Sequence, residues 1–303
     1  MSAGQAYGGL VERPGKSRNG IEPPDIYTLV GGDRLIEVVD VGANPIDGEP
    51  PYATLLAAGV ARVTGFEPQE SAFAELSAMA DEQRRYLPYA VGDGRAHQLR
   101  VCSESGFTSM LEPDPDQLAL LTDFPRMAAV TQRHWMATRR LDDISEIEHL
   151  DFLKIDIQGG ELQAFRGGGR LLGDAVAVQT EVGFTRLYRE QPTFADIDLE
   201  LRTHGLIPHQ FVNTKTWPLA PVQWAEPVQA RARHLVEADV LYVRDLAQLD
   251  HCSDQQLRHL ALICDLAYGT YGVSLVCLNE LVRRGAIREA DADRYRAALN
   301  EMN

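Results

Sequence analysis

Several polar residues fall where an apolar run stops: Asp40, Asn44, Glu67, Asp93, Asp156, Glu161 and Glu181. Most are acids that close buried-type stretches. Carboxylates gathered around a pyrophosphate cost electrostatic energy, so the row is a poor phosphate site. It suits a cationic ligand that carries a ribose. Glu67 is the clearest nucleoside-binding candidate, because an acid that ends a second strand can accept hydrogen bonds from both ribose hydroxyls. Gly42 has no Cβ and lets the first turn run close to a ligand. The plainer alternative is a tight turn at Gly42 and a solvated strand end at Glu67. Other nucleotide and hydrolytic signatures are missing. Ala43, Asn44, Pro45 and Ile46 follow Gly42 where a dinucleotide fold would show GxGxxG, and the chain has no Walker A, GxSxG or HExxH motif.

The elements that must position these residues alternate in type. LIEVVDVGAN and ARVTGFEP read as buried parallel strands, the second ended by Pro68. ESAFAELSAMA has helical spacing, and YLPYAVGDG is a third short strand. DFLKIDIQGGE is a strand and turn that leads into a helix through Leu162 and Phe165. DAVAVQTEVGF, GLIPHQF and EADVLYVRD are later strands, with a helix over 194–204 before GLIPHQF. A further short strand is expected at IYTLV, and extra strands between His97 and Arg140. This rhythm predicts a mostly parallel sheet with helices on both faces. Ligands then bind beyond the carboxyl ends of the strands, where the acids lie. Residues 1–24 read as a flexible arm, 25–245 as the α/β domain and 246–303 as a C-terminal helical extension. Its stripes run Leu257, Leu260, Ala261, Cys264 and Leu275, Leu278, Leu281, Val282, with a third helix over 289–300.

Composition narrows the field. A hydrophobic content of 45% supplies a sizeable core, and a formal charge of −15 argues against nucleic acid and membrane partners. Cys102, Cys252, Cys264 and Cys277 are widely spaced and form no CxxC pair, which fits reduced thiols in a cytoplasmic protein. The N-terminus has no apolar signal-peptide core, and no apolar run approaches a membrane span.

VVDVGAN at 38–44, GFEP at 65–68, YAVGDG at 89–94, DFLKIDIQGGELQAFRGG at 151–168 and VQTEVGF at 178–184 resemble the FkbM family of class I methyltransferases. The resemblance spans about 35–245, and KIDIQGGE is its most specific piece. It implies a Rossmann-like seven-stranded methyltransferase sheet whose last strand is antiparallel. It also implies S-adenosylmethionine as donor and, usually, a hydroxyl oxygen of a small molecule or glycan as acceptor. Asp40, Gly42 and Asn44 would then border the methionine and ribose. Glu67 would bind the ribose hydroxyls, with Val91 and Asp93 near the adenine. Asn44 stands where the wider class often has a second glycine, and the PIDGEPPYA loop is long.

On that reading an alcohol acceptor needs a base as attack proceeds. Asp156 is the first candidate and Glu181 the second, with Lys154 on the same strand face as Asp156 and able to pair with it. Glu161 lies towards the acceptor. Phe107, Thr108 and Ser109 of the SGFTSM loop, and His209, are further acceptor-side candidates, although a strand-end surface role is the plainer reading for His209 and a packing role the plainer one for His134. Asp156, Glu161 and Glu181 can also supply oxygens to a divalent metal. The preferred alternative has Glu161 at the positive end of its helix and no metal site. Tyr268 and Tyr271 either line an acceptor cavity or, preferably, pack as a helix hairpin. Competing readings are N-methylation of an amine, a noncatalytic cofactor-binding scaffold and, more weakly, an NAD-dependent oxidoreductase. A homodimer is compatible with the sequence.

Overall fold

The computed structural model describes residues 26–44, 48–221 and 234–301; the expected arm at 1–24 and part of the PIDGEPPYA loop lie outside them. Ten strands form in chain order: β1 Ile36–Val41, β2 Ala61–Phe66, β3 Arg84–Leu87, β4 Ala90–Val91, β5 Ala96–Cys102, β6 Val130–Arg139, β7 Phe152–Ile155, β8 Ala177–Gly183, β9 Leu206–Trp217 and β10 His234–Arg244. Seven of these make one sheet in the order β3-β2-β1-β7-β8-β10-β9. β3, β2, β1, β7 and β8 pair in parallel, and β10 enters antiparallel to both β8 and β9. This is the expected Rossmann-like class I methyltransferase sheet, with β10 as its antiparallel last strand. A second sheet, β4-β6-β5, contains the extra strands expected between His97 and Arg140 as β5 and β6, while YLPYAVGDG, expected as one strand, divides between the end of β3 and β4 of this second sheet.

The helices are α1 Ile26–Val30, α2 Ala53–Ala57, α3 Glu70–Ala78, α4 Pro115–Leu118, α5 Phe124–Met127, α6 Glu161–Arg166, α7 Gly169–Asp174, α8 Phe194–Thr203, α9 Asp254–Leu266, α10 Tyr271–Arg283 and α11 Glu289–Glu301. Every residue of β8 is buried, as a central strand covered on both faces must be. Side chains alternate between the two faces. Ile36, Val38, Phe152, Ala177 and Leu241 join one core with Leu257, Leu260, Cys264 and Leu278 of the C-terminal helices. Val39, Val41, Leu153, Val178 and Val240 join the other with Leu162, Phe165, Leu171 and Leu201. The C-terminal extension therefore packs, together with α1 and α2, against one face of the sheet. Its first helix opens with a capping box at Ser253 and Gln256. All four cysteines are free and buried. Among the described residues, no helix is long and apolar enough to cross a membrane.

The strand expected at IYTLV is a helix. Ile26, Leu29 and Val30 are its buried residues, an i, i+3, i+4 set, and Gly31 follows with φ 62° while its N–H bonds the carbonyl of Tyr27. An apolar pentapeptide does not distinguish strand from helix by periodicity; the glycine stop and the helical surface beside it decide.

A buried carboxylate ties this end of the chain to the C-terminal helices. Asp151 receives Arg34 on both oxygens at 2.5 and 2.8 Å, the N–H of Glu37 at 2.8 Å, and lies 2.9 Å from Nδ1 of His259 on α9. Burial works against its charge, but His259 and Arg34 outweigh it and hold the carboxyl down at about 2. Removing the carboxylate leaves buried His259 without its ionic partner and half-buried Arg34 without its bidentate acceptor. Asp151→Ala is expected to lower stability by about 3 kcal/mol in urea unfolding. Because the folded-state value is depressed, the contribution is full above the ordinary aspartate range near 4. In the parent protein it should fade as pH falls from about 4 towards 2, by on the order of 2 kcal/mol.

Candidate active site

The carboxyl ends of β1, β2 and β7 open into one cavity, roofed by β5, β6 and the 105–111 loop. Its empty volume is about 1160 Å³ including the open mouth. Gly42 shapes the floor. Its φ is 79°, and a Cβ there would lie 2.1 Å from the carbonyl oxygen of Asp156. The close approach that requires glycine is thus to the β7 turn rather than to a ligand. The N–H groups of Gly42 and Ala43 bond the carbonyl of Phe66, and the N–H of Asp156 bonds that of Val41. Three strand ends are laced together at this point.

Asp40 does not border the cavity. It is buried, accepts Tyr52 Oη at 2.6 Å and faces Lys154 Nζ at 3.3 Å. Lys154 also donates to the carbonyl of Gly42 at 3.2 Å. The expected Lys154–Asp156 pair is replaced by Lys154–Asp40, because those two residues are register partners on adjacent strands and point to the same face. Asp40 and Lys154 therefore support the turn from behind. Tyr52 was not singled out from the sequence, and nothing in its local pattern marks it.

Gly42, Asn44, Glu67 and Val91 do line the cavity. Glu67 is 3% exposed, and one oxygen accepts the N–H of Gln69 at 2.8 Å. Burial pushes its carboxyl above the usual range. A carboxylate in that state gains from any ligand that brings hydroxyl donors. Beside it, Phe66, Tyr89 and Val91 form an apolar slot. Tyr89 is fixed by Arg139, whose guanidinium lies 3.5 Å from the ring centroid, and by a 3.1 Å bond to Glu146. Asp93 turns away and holds Nε2 of His97 at 2.8 Å, so His97 is the residue at the wall.

On the opposite side, Asp156, Thr108 and Ser109 border the same space. Ser109 is buried and fully engaged, donating to the carbonyl of Gln158 at 2.6 Å and accepting the N–H of Leu111 at 2.9 Å. Phe107 turns out of the cavity onto Phe124, edge-on at 4.9 Å, within the small cluster that includes Leu121 and Tyr188. Glu161 is buried, and its Oε1 accepts the N–H groups of Ile157 and Gly159 at 2.8 and 3.3 Å. It braces the turn before α6 rather than meeting an acceptor. Burial and the charge of Asp156 push it up to about 7. Glu181 lies behind the wall. It is bonded by Gln158 at 2.8 Å and by Lys215 at 2.7 Å, and its carboxyl is raised by burial and by Asp156. His209 is exposed on the edge strand β9, two strands beyond β8, and does not reach the cavity. His134 is exposed on β6. Tyr268 packs edge-on against Phe152 and bonds Gln179 at 2.6 Å, the hairpin-packing role. Among the described residues, no group of three His, Cys, Asp or Glu side chains could hold a metal ion.

A family model for the methyltransferase FkbM domain matches residues 40–207, more than half of the chain and the whole stretch that builds this cavity. The protein belongs to the FkbM methyltransferase family. Its methyl donor is S-adenosylmethionine, and the family carries the expected transfer to a hydroxyl of a small molecule or glycan. Among solved structures, the chain is similar to the magnesium protoporphyrin IX methyltransferase of Synechocystis PCC 6803 with bound SAM. Identity is 14%, 70% of this chain and 71% of that chain are covered, and the TM-score is 0.35. It is also similar to a SAM dependent methyltransferase from Aquifex aeolicus, at 10% identity over 73% of this chain and 89% of that one, with a TM-score of 0.31. No curated protein matches.

The site's geometry depends on the absence of a side chain at position 42. Gly42→Ala should lower stability by about 2 kcal/mol or more, since either the left-handed turn or the Asp156 carbonyl must move. A melting curve and a denaturant titration of the variant check this.

Proposed function

We propose that Glu67 accepts the ribose hydroxyls of S-adenosylmethionine, that Tyr89 and Val91 flank its adenine, and that Asn44 and the Gly42 turn border its methionine end. The residues fit the group: a buried carboxylate that accepts one backbone N–H stands beside an apolar slot lined by Phe66, Tyr89 and Val91. S-adenosylmethionine supplies an electrophilic methyl group on a sulfonium. Asp156 takes the proton of the acceptor hydroxyl as its oxygen becomes the nucleophile, while Thr108 and the rest of the 105–111 loop border the acceptor. The observation that carries this reading is that Glu67 and Asp156 face one continuous cavity from opposite sides.

The supporting chain remains divided as 25–245 for the methyltransferase domain and 246–303 for the helical extension, with the extension completing the sheet's covering. The charge of −15 supports a small-molecule or glycan acceptor over nucleic acid, a cytoplasmic setting is the matching location, and a homodimer is the simplest assembly.

The test is methyl transfer from labelled S-adenosylmethionine across a panel of alcohols, phenols and methyl glycosides. Asp156→Asn should lower turnover by about a hundredfold or more with donor affinity unchanged. Full turnover in that variant would remove Asp156 from the role of base.

A further inference from the structure

Gln158 occupies the turn between β7 and α6 and borders the cavity. Its φ is 54°, left-handed for a residue with a Cβ, although glycines follow at 159 and 160. Such a conformation costs about 1 kcal/mol or more and persists only where surrounding contacts hold it. Here the contacts are specific. Nε2 of Gln158 donates to Asp156 Oδ1 at 3.1 Å and to Glu181 Oε2 at 2.8 Å. Its Oε1 accepts the hydroxyl of buried Tyr188 at 3.2 Å, and its backbone carbonyl accepts Ser109 Oγ at 2.6 Å. A primary amide has two N–H donors and one carbonyl acceptor. Each finds a complementary partner in this orientation, whereas the flipped amide would set its oxygen against two carboxylates. Glu181 is itself anchored by Lys215 at 2.7 Å, and Lys215 also approaches Glu237 at 3.5 Å.

We propose that Gln158 is a positioning residue that fixes the carboxylate of Asp156 in the cavity wall by bridging it to the Glu181–Lys215 ion pair. The inference rests on Asp156 being the base of the transfer reaction. Glu161, Glu181 and Asp239 present like charge to Asp156, and Lys215 presents opposite charge. An N–H donor directed at each of two neighbouring carboxylates offsets their repulsion and leaves neither free to rotate.

The test is side-chain amide hydrogen exchange in the ligand-free, ¹⁵N-labelled full chain, with the Gln158 signals assigned by their loss in Gln158→Gly, which keeps the left-handed turn. Both Gln158 protons should exchange about tenfold or more slowly relative to exposed glutamines. Asp156→Ala should speed one proton and Glu181→Ala the other, and the Asp156 variant alone decides the matter if loss of Glu181 prevents folding. S-adenosylmethionine should bind Gln158→Gly with about the parent affinity by calorimetry. Exchange as fast as an exposed amide, or protection unmoved in Asp156→Ala, would overturn the bridge. Because this readout needs no acceptor, it is independent of the role of Asp156 as base: full turnover in Asp156→Asn would remove the base and leave the bridge standing.

Discussion

The site depends on how closely the turn after β1 approaches the turn after β7. Position 42 sits against the Asp156 carbonyl with no room for a Cβ. That contact brings the glycine end of β1 and the acid end of β7 to one floor, with β2 joined through the carbonyl of Phe66. Everything that borders the cavity is placed relative to this junction. Glu67 leaves β2 on one side of it and Asp156 leaves β7 on the other.

Two sets of charges support the junction from different directions. Behind it, Asp40 is held between Tyr52 and Lys154, and Lys154 reaches the carbonyl of Gly42. Beyond it, Glu181 and Lys215 extend the polar floor across β8 and β9. The C-terminal helices contribute as packing partners. They share one face of the sheet with α1 and α2, and their α9 reaches α2 through the bond from Thr54 to the carbonyl of Leu266. α2 follows directly from Tyr52, so the extension is physically continuous with the support of Asp40.

Much of this was legible in the sequence, because buried parallel strands leave long apolar runs whose ends are conspicuous. The mostly parallel sheet with its antiparallel last strand, the helical extension and the cavity residues Gly42, Asn44, Glu67 and Asp156 follow from such runs and from the family motifs. Partnerships were less legible. Lys154 pairs across strands with Asp40 instead of along its own strand with Asp156, and only the β1–β7 register reveals that. Glu161 and Glu181 follow apolar stretches as Asp156 does, yet they turn to backbone amides and to Lys215. Tyr89, His97 and Gln158 carry no periodic signal, and the local sequence of Phe107 does not tell that its ring leaves the cavity for Phe124. The helix at 26–30 depends on a surface built by residues more than two hundred positions later.

The proposed chemistry rests on S-adenosylmethionine binding through Glu67 in the cavity at the ends of β1, β2 and β7. Calorimetric titration of the full chain and of Glu67→Ala with S-adenosylmethionine tests it most directly. S-adenosylmethionine should bind the parent saturably, with an affinity about tenfold or more weaker in the variant. Equal affinities, or no binding by the folded parent, would contradict it.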